Sequence, residues 1–175
     1  ALLLFTLTLP RYRTLRMPSY EISSSARIDA PAASCYRVIA DYHVGHPAIV
    51  PPRAFGAFVV EEGGTGAGTR VRFTMTALRQ ERSVLGLVTE PEPGRVLVER
   101  YPDSGVVTTF VVEPLGEGAA QVTITSTLPS PGGLRGVLER WFTRTFLLGV
   151  YREELGRLAT YLREGGATAG VARTS

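Results

Sequence analysis

The stretch from Pro131 to about Glu164 constrains this chain more than any other. It reads as one long helix. Pro131 suits a first helical turn, where its missing N–H has no partner to lose. Gly165 and Gly166 make a natural stop. At about 1.5 Å per residue the helix would run roughly 50 Å, well beyond a typical globular helix. Steps of about 100° place Leu134, Val137, Leu138, Trp141, Thr145, Leu148, Tyr151, Leu155, Leu158, Ala159 and Leu162 on one side. Arg144 and Arg152 flank that side, while Glu139, Glu153 and Arg157 point away. An apolar face this long must lie against something large.

The preceding residues supply it. Tyr20 to Ile28 reads as a strand with Ile22, Ser24, Ala26 and Ile28 on one face. Asp29-Ala30-Pro31 closes it and opens a helix through about Tyr42, and His43 to Pro52 is a short helix or loop. Strand signals follow at Ala54–Glu62, Thr69–Leu78, Gln80–Glu90, Arg95–Tyr101, Val106–Pro114 and Ala119–Leu128, each closed by turn residues. Val71, Phe73, Met75 and Ala77 alternate with Arg70, Arg72, Thr74 and Thr76. Val122, Ile124, Ser126 and Leu128 alternate with polar residues in the same way. Such half-polar strands have one wet face and one covered face. The expected fold class is α+β: a curved seven-stranded antiparallel sheet around a long C-terminal helix, with one or two short helices after the first strand. A sheet wrapped round a helix rarely fills completely, so a cavity between them is the expected by-product.

Three parts are expected along the chain. Residues 1–16 read as an N-terminal extension, 17–166 as one domain, and 167–175 as a tail. The apolar run Leu2–Leu9 is too short to span a bilayer, so no stable membrane insertion is expected. The formal charge of +3 comes from Arg11, Arg13 and Arg16, so the basic balance is no nucleic-acid signal. There is no lysine, which excludes Schiff-base chemistry, and one cysteine, Cys35, which excludes an internal disulfide. A cytoplasmic location, without cofactor or metal, fits this composition.

The element order and its punctuation resemble the helix-grip fold of the SRPBCC superfamily, which holds START lipid-transfer domains and polyketide cyclase/dehydrase-like proteins. Ala26-Arg27-Ile28-Asp29-Ala30-Pro31 resembles its strand-to-helix junction. Val38-Ile39-Ala40-Asp41-Tyr42 resembles the end of its first helix, and Gly64-Thr65-Gly66-Ala67-Gly68-Thr69-Arg70 the hairpin between its second and third strands. The resemblance implies a ligand cavity. It implies no reaction, because such folds reuse one cavity for many ligands. Many relatives carry a tryptophan after the first helix, where this chain has His43-Val44-Gly45-His46-Pro47.

Site candidates follow from position. The Gly64–Gly68 run leads into a strand and not a helix, so it is a hairpin and not a dinucleotide loop. Tyr42, His43 and His46 are the acid–base candidates, with a structural role as the alternative. Phe73, Met75, Phe110, Trp141, Arg144, Thr145, Leu148 and Arg152 are the ligand-binding candidates. Each arginine on the helix can reach solvent, pair with an acid, or meet an anionic ligand group. Phe142, Phe146, Leu147 and Val150 fall on the outer side and suggest an interface, such as a homodimer. The leading expectation is a carrier of a hydrophobic small molecule, a lipid, polyketide or aromatic. A cyclase/dehydratase using the same cavity, and a partner or co-chaperone module, are the alternatives. A polar cluster deep in the cavity favours the enzyme; a uniformly apolar one favours the carrier.

Overall fold

A computed structural model describes residues 18–77, 80–130 and 133–165. The expectations for residues 1–16 and 167–175, and for a helix start at Pro131, lie outside them. The chain runs β1 (Ser19–Ile28), α1 (Ala32–Ala40), α2 (Gly45–Ile49), β2 (Phe55–Glu62), β3 (Arg70–Ala77), β4 (Gln80–Glu92), β5 (Val96–Tyr101), β6 (Val106–Pro114), β7 (Ala120–Pro129) and α3 (Gly133–Glu164). All seven strands form one antiparallel sheet in the order β1-β7-β6-β5-β4-β3-β2.

Alternation fixes which face is covered. In β7, Val122, Ile124, Ser126 and Leu128 are buried. On the other face Thr123 and Thr125 exchange hydroxyl hydrogen bonds of 2.8 Å with Ser25 and Ser23 of β1. The tight hairpins make sequence neighbours into sheet neighbours, and β1 closes the far edge on β7. Helix α3 lies across the covered face and packs on β1, α1 and α2. The core joins Ile22, Ile39, Ile49, Leu97, Val122, Ile124 and Leu158.

The phase of α3 differs from the sequence expectation. Its buried stripe is Leu147, Val150, Tyr151, Glu154, Leu155 and Leu158. Leu147 and Val150, expected outside, are core, which removes them from any outer interface. Trp141 is 59% exposed and Val137 is 55% exposed. Arg144 and Arg152 are exposed as well. The run Trp141–Tyr151 carries apolar side chains all round, so periodicity alone leaves its rotation open. In the C-terminal half Leu155, Leu158 and Leu162 face the core as expected, but Arg157, expected to point away, is half-buried and donates to the Ala48 carbonyl of α2.

Candidate functional site

Between the sheet and the first half of α3 lies a cavity of about 750 Å³. Most of its wall is apolar. Phe55, Phe58, Phe73, Met75, Val84, Val106, Phe110, Phe142 and Phe146 contribute to it. Phe58 stacks on Phe73 with ring centroids 5.1 Å apart, and Phe73 meets Tyr101 edge-on at 6.0 Å.

One part of the wall is polar and buried. Strand β5 turns Leu97, Glu99 and Tyr101 to the covered face. Glu99 is 5% exposed and lines the cavity. Its Oε1 accepts a hydrogen bond from the Tyr42 hydroxyl at 2.5 Å, and its Oε2 accepts one from the Tyr101 hydroxyl. Receiving phenol O–H groups on both oxygens suits a carboxylate. Burial, then the charge of Glu99, push both phenols well above the ordinary tyrosine range. His46 stacks on Tyr42 at 4.6 Å, and its Nδ1 lies 2.8 Å from the Ile39 carbonyl. A carbonyl only accepts, so Nδ1 carries a proton. The other ring nitrogen, Nε2, lies 3.6 Å from Glu99.

Helix α3 supplies the opposite side. The Tyr151 hydroxyl donates to Ser126 Oγ at 2.5 Å, and Ser126 in turn lies 2.6 Å from Thr108 Oγ1. Glu154, one turn on, is 4% exposed and lines the cavity. Its Oε1 is buried with no hydrogen-bond partner among the described residues. Desolvation, with repulsion from Glu99 second, pushes its carboxyl up to about 8, so it holds its proton at neutral pH.

Local backbone explains why these groups meet. Asp41 accepts from the N–H groups of His43, Val44 and Gly45, which turns the chain from α1 into α2. Gly45 sits so close to α1 that a Cβ there would lie 2.5 Å from the Val38 carbonyl oxygen. The glycine hairpin locks the same segment, with Tyr42 N–H donating to Gly64 and Gly66 N–H donating to Ala40. Tyr42 and His46 are thereby held over β5.

Of the residues expected at the site, Phe73, Met75, Phe110, Thr145 and His46 line the cavity. Tyr42 stands behind Glu99. His43 is exposed and packs over Gly64. Trp141, Arg144, Leu148 and Arg152 do not line it: the rotation of α3 turns Trp141, Arg144 and Arg152 to solvent and leaves Leu148 half-buried against the core. An arginine-held anionic ligand group is thus not supported. Glu99, Tyr101 and Glu154 were missed. The spacing of Glu154 three residues from Tyr151 and four from Leu158 was a signal for it, whereas the sequence around Glu99 and Tyr101 has apolar residues in both phases and offered none.

The family profile described as polyketide cyclase/dehydrase and lipid transport matches residues 19–163. The chain belongs to that family. The SRPBCC resemblance and the helix-grip fold therefore hold. Among solved structures, the KanY protein is 26% identical with a TM-score of 0.73, the match covering 84% of this chain and 99% of that one. The aromatase/cyclase Zhui from Streptomyces sp. R1128 is 18% identical with a TM-score of 0.70, covering 87% and 99%. A START superfamily protein from Mycobacterium smegmatis is 13% identical with a TM-score of 0.65, covering 82% and 97%. A comparison with curated proteins gives no match. The family and its neighbours support a fold that binds hydrophobic ligands. Among the described residues no helix is long and apolar enough to cross a membrane.

Proposed function

We propose that this protein binds a hydrophobic, ring-bearing small molecule in the cavity and acts on it by proton transfer, as a cyclase/dehydratase-type enzyme. The observation that carries this reading is the carboxyl pair Glu99–Glu154 in the wall of an otherwise apolar cavity. A carboxyl that keeps its proton, near one that accepts hydrogen bonds from two phenols, supplies a donor and an acceptor. A β-hydroxy ketone illustrates the chemistry. Glu154 gives its proton to the departing hydroxyl, which leaves as water. Glu99 takes the proton from the carbon between hydroxyl and carbonyl, and the double bond forms. The pair ends with the same number of protons and resets by exchange. His46, Tyr42 and Tyr101 orient Glu99.

The test is dehydration of the aldol adduct of naphthaldehyde and acetone to its absorbing enone. Glu154→Gln should lower the rate by about 100-fold, within the range of a positioned acid, while binding of the enone stays within a few-fold. An unchanged rate would remove the proton-transfer role. The carrier reading draws on the aromatic wall, and binding without turnover in the wild type would favour it.

A further inference from the structure

The interior is uneven in charge, and the unevenness bears on which ligands it admits. Glu99 and Glu154 both line the cavity. Among the described residues, Arg82 supplies the one guanidinium of the cavity lining. Arg82, at the rim, is exposed. Arg157 donates to the Ala48 carbonyl and lies outside the lining. The imidazole of His46 is taken up by the Ile39 carbonyl and Glu99. Meanwhile Glu154 keeps a buried oxygen with no partner. A buried polar atom without a partner is costly, and a ligand that supplies one gains that cost back as affinity.

We propose that the ligand enters uncharged, sets a carbonyl or hydroxyl oxygen against Glu154, and that the Glu99–Glu154 pair excludes carboxylate-bearing molecules such as fatty acids. This rests on the cavity being the ligand site, as argued above, but not on any reaction. A carboxylate set against Glu154 would sit in an aromatic-walled space beside a carboxylate already present, and the guanidinium in the described lining, that of Arg82, is exposed. An uncharged oxygen meets the opposite situation. The neutral carboxyl of Glu154 offers it both a donor and an acceptor. The donor persists up to about pH 8, because burial, and then the charge of Glu99, hold the proton there. The groups that face Glu154 are Glu99 and Tyr101 from β5, Tyr42 and His46 from the α1–α2 segment, and Tyr151 from its own helix.

Three naphthalenes of similar size separate the ideas: acetylnaphthalene, naphthoate and ethylnaphthalene, titrated by calorimetry against the full chain. At pH 7 the wild type should bind the ketone about 10-fold more tightly than the hydrocarbon and naphthoate more weakly than either, one decade being the scale of a single buried hydrogen bond. Ketone affinity should fall as pH rises through 8. In Glu154→Leu the ketone should lose its advantage over ethylnaphthalene, whose binding reports that the cavity is intact. Glu154→Gln, which keeps a donor, should hold the ketone without the pH dependence. Naphthoate binding as tightly as the ketone, or a ketone advantage that survives Glu154→Leu, would overturn the inference and leave the ligand cavity standing. If none of the three bound to the folded wild type, the cavity reading would fall with it.

Discussion

Glu154 and Glu99 are the residues on which the functional reading turns. Glu154 ionises near the ordinary 4.5 when unfolded and near about 8 when folded. Between those values the native state keeps a proton that the unfolded chain has lost, so stability falls as pH rises through that window and levels off above it. Glu154→Gln should remove this slope. Urea melts should show the variant gaining roughly 2–4 kcal/mol on the wild type between pH 5 and pH 9. An identical pH dependence in both proteins would place Glu154 in contact with water. Tyr101→Phe removes one of the two phenols donating to buried Glu99. It should cost about 1.5–3 kcal/mol, the range for hydrogen bonds to charged groups, in the same melts at pH 7. Neither acid was singled out in the sequence, for a physical reason. Val96-Leu97-Val98-Glu99-Arg100-Tyr101 has apolar residues in both phases, so alternation does not decide whether Glu99 or Arg100 faces inward. The structure decides it by supplying the partners Tyr42 and His46, which are far away along the chain.

The elements were more legible than the residues on them. Every strand lies close to its expected position, because all the junctions but that between β3 and β4 carry Gly or Pro and most strands alternate cleanly. The C-terminal end of α3 was also legible, but not its rotation. Its stretch from Phe142 to Glu154 borders the cavity, where a side chain can face space or solvent, and from Leu155 on it packs on solid core. Two substitutions separate these regimes. Trp141→Ala, at a 59% exposed position, should change stability by no more than about 0.5 kcal/mol. Leu158→Ala, at 1% exposure, should cost about 2–5 kcal/mol. Denaturation midpoints check both, and a large loss at Trp141 would restore the sequence phase. The α1–α2 corner makes a third test. A methyl group at Gly45 would strike the Val38 carbonyl oxygen at 2.5 Å. Because that contact is backbone, Gly45→Ala should cost about 1–3 kcal/mol, the usual range for overpacking, measured by thermal melting.

At the scale of the whole molecule, function follows from one mismatch. A curved sheet of seven strands has more concave surface than one helix can cover, and the remainder is a cavity. Aromatic side chains from β2, β3 and β6 coat it, and β5 and α3 carry one acid each into it. The fold alone would allow many ligands; in the proposed reading the acids narrow the choice to molecules with an uncharged oxygen and open a route for proton transfer. The central claim is that Glu154 stands in the cavity as a neutral acid and meets the ligand. Carbon-13 NMR of glutamate-labelled protein, titrated from pH 5 to 10 with and without acetylnaphthalene, tests it most directly. The account predicts one carboxyl resonance that titrates near pH 8, is missing in Glu154→Gln, and titrates higher still with the ketone bound, because the bond is made by the protonated form. Glutamates that all titrate near pH 4, or a high-titrating resonance that ignores the ketone, would contradict it.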